Sequence, residues 1–121
     1  MTAFNEILCN ISFDEVKTQN DEYFYLHRIP TTQGCAELIK IKKGFEYLPH
    51  THEYTDTKFI ITCGKGLIQL DNESHHYKTG DVFIVNRNVK HGFKVEEETV
   101  FLSIQTRPIL DQTTGKIDIV Y

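Results

Sequence analysis

The sequence predicts an all-β fold, an antiparallel sandwich or small barrel, on three observations. From Glu22 onward, short runs rich in β-branched and aromatic residues follow one another. Gly, Asn and Asp turn chemistry separates these runs at fairly regular intervals. No helical pattern lies between them, as in antiparallel sandwiches and barrels. With 121 residues, 40% of them hydrophobic, the chain suffices for one packed core.

The first third leaves room for a helix. "SFDEVKT" opens with Ser12 and places Glu15 three positions on, the pattern of a capping box, so a short N-terminal helix is predicted there, with a polar loop as the alternative. The predicted strands are "EYFYLHRI", "CAELIKIKK", "KFIITC", "LIQLD", "HHYK", "DVFIVN" and "VFLSIQT". Gly34, Gly44, Gly64 to Gly66, Asp71-Asn72, Thr79 to Asp81, Asn86 to Asn88 and Gly115 supply the turns. The acidic run Glu96 to Glu98 reads as a solvated hairpin tip. The segment after Pro108, "ILDQTTGKIDIVY", ends in an alternating pattern and is expected to close the barrel or to pair with a neighbouring subunit.

Composition narrows the function. Net charge is −4 and no basic cluster exceeds "KIKKG", so a phosphate-neutralising face for nucleic acid is not expected. No apolar run approaches the roughly 18 residues of a membrane helix, so no membrane partner is expected. The N-terminal stretch does not read as a secretory signal. Three widely spaced cysteines, Cys9, Cys35 and Cys63, form no CxxC pair, which fits free thiols in a reducing compartment; the expected localisation is cytoplasmic.

The chemistry-bearing pattern is the His-x-His pair His50 and His52, placed just before the strand "KFIITC". In extended backbone, side chains at i and i+2 share a face, roughly 6–7 Å apart at Cα. Two imidazoles so placed can converge on one ion at about 2.1 Å. Such a site needs a third ligand, and His91 in "NRNVKHGFKV" is the candidate. The alternative is that the histidines hydrogen-bond one another or water in a polar pocket.

These residues resemble the two motifs of the cupin superfamily. The first motif runs glycine, five residues, His-x-His, three or four residues, glutamate, six residues, glycine; Gly44, His50, His52 and Gly64 fall on it. The second runs glycine, five residues, Pro-x-Gly, two residues, histidine, three residues, asparagine; Gly80 and His91 fall on it. The departures are informative. The glutamate position falls on Thr57 or Asp56, Asn86 replaces proline, Asn88 replaces the second glycine and Val95 replaces asparagine. Asn88 is a mild change, because Asn tolerates left-handed backbone.

The resemblance implies a double-stranded β-helix (jelly-roll) barrel with a core at about 34–106, flanking strands in 1–33 and 107–121, and a single domain over 1–121. It implies one divalent transition metal held by His50, His52 and His91. At the glutamate position Asp56 is a candidate fourth ligand, also readable as a loop residue that bonds nearby amides, and the alternative is that Thr57 holds a metal-bound water. Imidazole suits Fe, Zn, Ni, Cu and, less well, Mn. It also implies a homodimer and a small-molecule ligand or substrate. Candidate acid/base or pocket-lining groups are Tyr47 and His27, each also readable as an ordinary packing residue. Three neutral imidazoles leave the ion's full charge, favouring anionic or enolizable ligands. The function expected is a metal-dependent enzyme on a small organic acid, enolizable carbonyl or sugar-like substrate, by dioxygenase, isomerase or lyase chemistry. The alternative is a non-catalytic ligand-binding or sensory cupin; fold alone does not select.

Overall fold

The structure, a computed structural model, describes residues 10–18 and 20–121. Cys9 and the first part of the expected N-terminal flank lie outside the described residues. The described chain forms eight strands: β1 (Asp14–Lys17), β2 (Tyr23–Ile29), β3 (Cys35–Ile41), β4 (Glu46–His50), β5 (Thr57–Leu70), β6 (Glu73–Tyr77), β7 (Val82–Val85) and β8 (His91–Gln105). All pairings between these strands are antiparallel.

Two long strands organise the fold. β5 and β8 pair along their whole length, from Thr57↔Gln105 to Leu70↔His91. On the outer side of β8, β4 pairs its first part and β3 its last. On the outer side of β5, β7 pairs the first part and β6 the last. Each long strand therefore belongs to both halves of a sheet that wraps on itself, β2, β3 and β7 flanking one half and β4 and β6 the other. The turn between the halves falls where the β5/β8 register shifts, between Ile61 and Gly66. Gly64 makes this corner possible. Its φ is +97°, and a Cβ there would come within 2.4 Å of the Glu98 carbonyl oxygen.

Alternation along the strands fills the interior. β3 buries Cys35, Glu37, Ile39 and Ile41 and turns the residues between them outward. Leu26, Phe59, Ile61, Phe93 and Phe101 meet Ile39 and Ile41 as one apolar cluster, with Phe93 and Phe101 stacked at 5.4 Å. Burial of such apolar surface is the main favourable term of folding.

Two expectations are corrected. "SFDEVKT" forms strand β1 rather than a helical turn, pairing Asp14↔Leu26 through Lys17↔Tyr23. A single isolated turn of helix is costly to nucleate, whereas the open edge of β2 offers a ready row of backbone partners. The Ser12 carbonyl accepts from His27 Nδ1 at 3.1 Å. Glu96 to Glu98 is not a hairpin tip: it lies inside β8 at the corner facing Gly64, exposed, with Glu97 3.7 Å from Lys65.

The C-terminal segment folds back over the barrel as a strap. Leu110 bridges Ile117, and Val120 exchanges two backbone hydrogen bonds with Thr51 at 2.7 and 2.9 Å. Among the described residues, no helix is long and apolar enough to cross a membrane.

Candidate metal centre

The site begins with a break in β4. The β4/β8 register slips between Tyr47 and His50, at Pro49, which has no N–H to give the ladder. The slip resets the alternation, so Tyr47 and His50 both face inward while Leu48 points out. His52, two residues on, faces inward as well. On the neighbouring strand His91 is the register partner of His50. Gly92 beside it lets the backbones close up, since a Cβ there would lie 2.5 Å from the Tyr47 carbonyl oxygen.

The three imidazoles meet. Ring centroids lie 5.2 Å apart for His50 and His52, 4.4 Å for His50 and His91, and 4.7 Å for His52 and His91. One ligand nitrogen from each falls within 4.8 Å of the others, and all three residues are buried. The remaining nitrogens set the tautomers. His50 Nδ1 donates to the Leu48 carbonyl at 2.9 Å, His91 Nδ1 to Val89 at 2.9 Å, and His52 Nδ1 to Asp118 at 2.6 Å. A carbonyl only accepts, so each Nδ1 carries the proton and each neutral ring presents a bare Nε2. His52 Nε2 and His91 Nε2 then stand 3.1 Å apart, lone pair to lone pair. A cation placed among them removes that repulsion, and the carbonyl partners match the supports of metal-bound histidines.

Electrostatics keep these rings neutral. Burial pushes the pKa of His50 down, opposed by the Leu48 carbonyl and by Glu22. It lowers His52 to about 4, against its bond to Asp118. His91 falls well below the ordinary value through burial and then through its two histidine neighbours. Desolvation disfavours the charged ring, and a neutral ring is the form that binds metal.

The other expected residues lie elsewhere. The Asp56 carboxylate is held by Arg87, at 2.7 Å from its backbone N–H and 3.1 Å from its guanidinium, and those bonds lower its pKa. It is not part of the histidine cluster. Thr57 is buried and donates its hydroxyl to the Val85 carbonyl at 3.0 Å. His27 packs edge-on to Phe13 on a position of β2 next to inward-facing Leu26. Tyr47 lines the interior, but its hydroxyl is bonded to the Tyr23 carbonyl, and burial raises its pKa. Asn88 takes φ +67°, and its N–H donates to the His52 carbonyl at 2.8 Å. That ties the second motif's turn to the first motif's histidine.

The histidines open onto a cavity of about 80 Å³ lined mainly by apolar side chains. Its polar lining includes residues that spacing did not reveal. Buried Glu22 accepts from the Leu48 N–H at 2.7 Å and from the Tyr121 hydroxyl at 2.6 Å. Buried Glu37 accepts from Arg28 Nε at 3.1 Å and from Gln105 at 2.8 Å. Asp118 reaches the site through its carbonyl, while its carboxylate accepts from the N–H groups of Glu53 and Tyr54 at 2.8 and 2.9 Å. These residues come from distant segments, and no local pattern marks them.

The family profile described as "Cupin domain" matches residues 37–105. Among curated proteins, a 4-diphosphocytidyl-2-C-methyl-D-erythritol kinase of Clostridium perfringens is 27% identical over 95 residues, which is 78% of this chain and 29% of that protein. The chain spans less than two thirds of the curated relatives it matches, 29% and 58% of their lengths. Among solved structures, KdgF from Halomonas sp. has a TM-score of 0.71 at 19% identity, covering 83% of this chain and 91% of that one. A salicylate 1,2-dioxygenase from Pseudoaminobacter salicylatoxidans, solved with gentisate, has a TM-score of 0.65 at 17% identity over 76% of this chain and 27% of that one. At these identities the two structures share the fold with this chain.

Proposed function

The chain belongs to the cupin domain family, and from that premise we propose that it is a metal-dependent enzyme acting on a small organic acid or enolizable carbonyl compound. One divalent transition ion would be held by His50, His52 and His91 through their Nε2 atoms, with no protein carboxylate among the ligands. The observation that carries this reading is the tautomer pattern: three Nδ1 protons given to carbonyls leave three bare nitrogens converging on one point. When bound, such an ion supplies Lewis acidity toward a carbonyl or lowers the pKa of water.

The chain's own residues supply the rest. Phe59, Phe93 and Phe101 exclude water from the cavity floor. Glu22 places a carboxylate on the same cavity as His50 and is the group positioned to take or return a proton. Asp56 stays with Arg87, and the charge of the ion is not reduced by a carboxylate ligand, which favours an anionic substrate.

Oxygen uptake by protein loaded with iron, against small keto acids and enediols, separates the reaction classes. Uptake that depends on both iron and substrate supports a dioxygenase, and turnover without oxygen supports an isomerase or lyase. Tight binding with no product from any of these compounds overturns the enzyme reading in favour of a ligand-binding cupin.

We read residues 1–121 as one domain that forms a homodimer through the outer face of the β7-β5-β8-β3 sheet. Val82, Ile84 and Ile104 are 50%, 66% and 43% exposed there, and the pairings Lys58↔Ile84 and Lys58↔Ile104 put two of them in one row. Exposed apolar side chains on either side of Lys58 on a sheet face suit packing against a second copy. Cys35 and Cys63 are free thiols, in keeping with a reducing, cytoplasmic setting.

A further inference from the structure

Across the cavity from the histidines lies a second polar cluster. β3 and β8 pair Glu37↔Ser103, and β5 and β8 pair Phe59↔Ser103, so these three residues form one inward-facing row. The Phe59 ring stands 6.0 Å from the His91 ring. Ser103, its cross-strand neighbour at a Cβ distance of about 4.5–5.5 Å, is therefore within reach of a small ligand that touches the histidines.

The bonds of this cluster leave one donor over. Arg28 holds Glu37 Oε2 through Nε and a terminal nitrogen at 3.1 and 2.9 Å, and the same terminal nitrogen donates to the Leu110 carbonyl at 2.8 Å. Gln105 gives one N–H to Glu37 Oε1 at 2.8 Å and the other to Ser103 Oγ at 3.0 Å, and its oxygen accepts from the Ile109 N–H at 3.0 Å. Arg28, Glu37 and Gln105 thus hold β3, β8 and the strap together. Ser103 sits at the end of the chain of bonds. Its oxygen accepts from Gln105, and no bond that it donates joins it to a described residue, although it is 2% exposed and lines the cavity. A buried hydroxyl with a spare proton costs free energy until an acceptor arrives.

We propose that Ser103 is a specificity-determining residue that donates to an oxygen on the far end of the substrate, selecting short 2-oxo or 2-hydroxy acids that carry a distal hydroxyl over those ending in a methyl group. The inference rests on the histidine centre proposed above, which would take the carboxylate end. Size supports it: a cavity of about 80 Å³ is roughly half the 150 Å³ that accommodates benzene. A ligand of about three or four carbons suits a space of this size lined by both the histidines and Ser103.

Pyruvate and 3-hydroxypyruvate share the chelating end and differ by the distal hydroxyl, so their dissociation constants test the assignment. They are measured from the visible spectrum of cobalt-loaded protein. Wild-type protein is expected to bind hydroxypyruvate about tenfold more tightly, the worth of one neutral hydrogen bond. Ser103→Ala is expected to bind both alike, with the pyruvate constant unchanged, and Ser103→Thr to keep the preference. If Ser103→Ala melts too early, Ser103→Cys replaces it, and its weak S–H donor should lose most of the preference. Equal binding by wild type, or a preference that survives both Ser103→Ala and Ser103→Cys, overturns the proposal. If cobalt does not load, the histidine reading fails separately, and calorimetry on metal-free protein decides with the same pair. There, selective binding of hydroxypyruvate that is lost in Ser103→Ala supports the donor, and anything else overturns it.

Discussion

His50, His52 and His91 are each fixed by backbone through Nδ1, which leaves their three bare Nε2 atoms gathered at one place. Removing one ring leaves two lone pairs, too few for tight binding of a catalytic ion. His50→Ala and His91→Ala are each expected to lower metal occupancy from about one ion per chain to near zero, read by elemental analysis after dialysis. Occupancy undiminished in either variant would break the triad. Asp56→Ala is the contrast. Because Asp56 bonds Arg87 rather than the cluster, it should keep full occupancy, and a loss of metal there would restore Asp56 as a ligand.

At the scale of elements, the strap carries an unexpected share of the site. Its Asp118 carbonyl fixes the tautomer of His52, and its Ile109, Leu110 and Ile119 line the cavity. A chain ending at Lys116 is expected to bind metal 10- to 100-fold more weakly in a chelator competition, the usual cost of losing such a support. Unchanged affinity would show that the strap does not orient His52. The histidines themselves were legible in the sequence, because β-strand alternation and turn chemistry are local and their spacing survives translation into one. Asn88 was legible for the same reason, as a residue able to take the glycine's place at positive φ. Glu22, Glu37, Ser103 and Asp118 were not, since each reaches the cavity by pairing between strands or segments far apart in the chain. The helix expected at "SFDEVKT" failed on the same ground: a capping pattern says nothing of the open edge of β2. The corner at Glu96 to Glu98 depends on close approach to Gly64, which no local signal announces.

For the whole molecule, burying three neutral imidazoles links folding to pH. Their folded pKa values lie below the unfolded value of about 6.5, so the unfolded chain binds more protons as pH drops. Metal-free protein should hold its full stability above about pH 6.5 and lose it progressively toward pH 4. For His52, at about 4, the loss is on the order of 3 kcal/mol. Denaturant unfolding at a series of pH values measures it; stability that is flat from pH 7 to 4 would contradict the burial. The outer sheet face makes a separate prediction. Ile84→Glu should convert a dimer to monomer in sedimentation equilibrium with little change in metal content, and a variant that remains dimeric would move the interface elsewhere.

The central claim, a cation shared by imidazoles from β4, from the loop after it and from β8, is tested most directly by X-ray absorption at the edge of the bound metal. The account predicts a shell containing three imidazole nitrogens at about 2.1 Å, and no bound-metal signal in His52→Ala after dialysis. A shell of two or fewer imidazoles, or one completed by a protein carboxylate or thiolate, would contradict it.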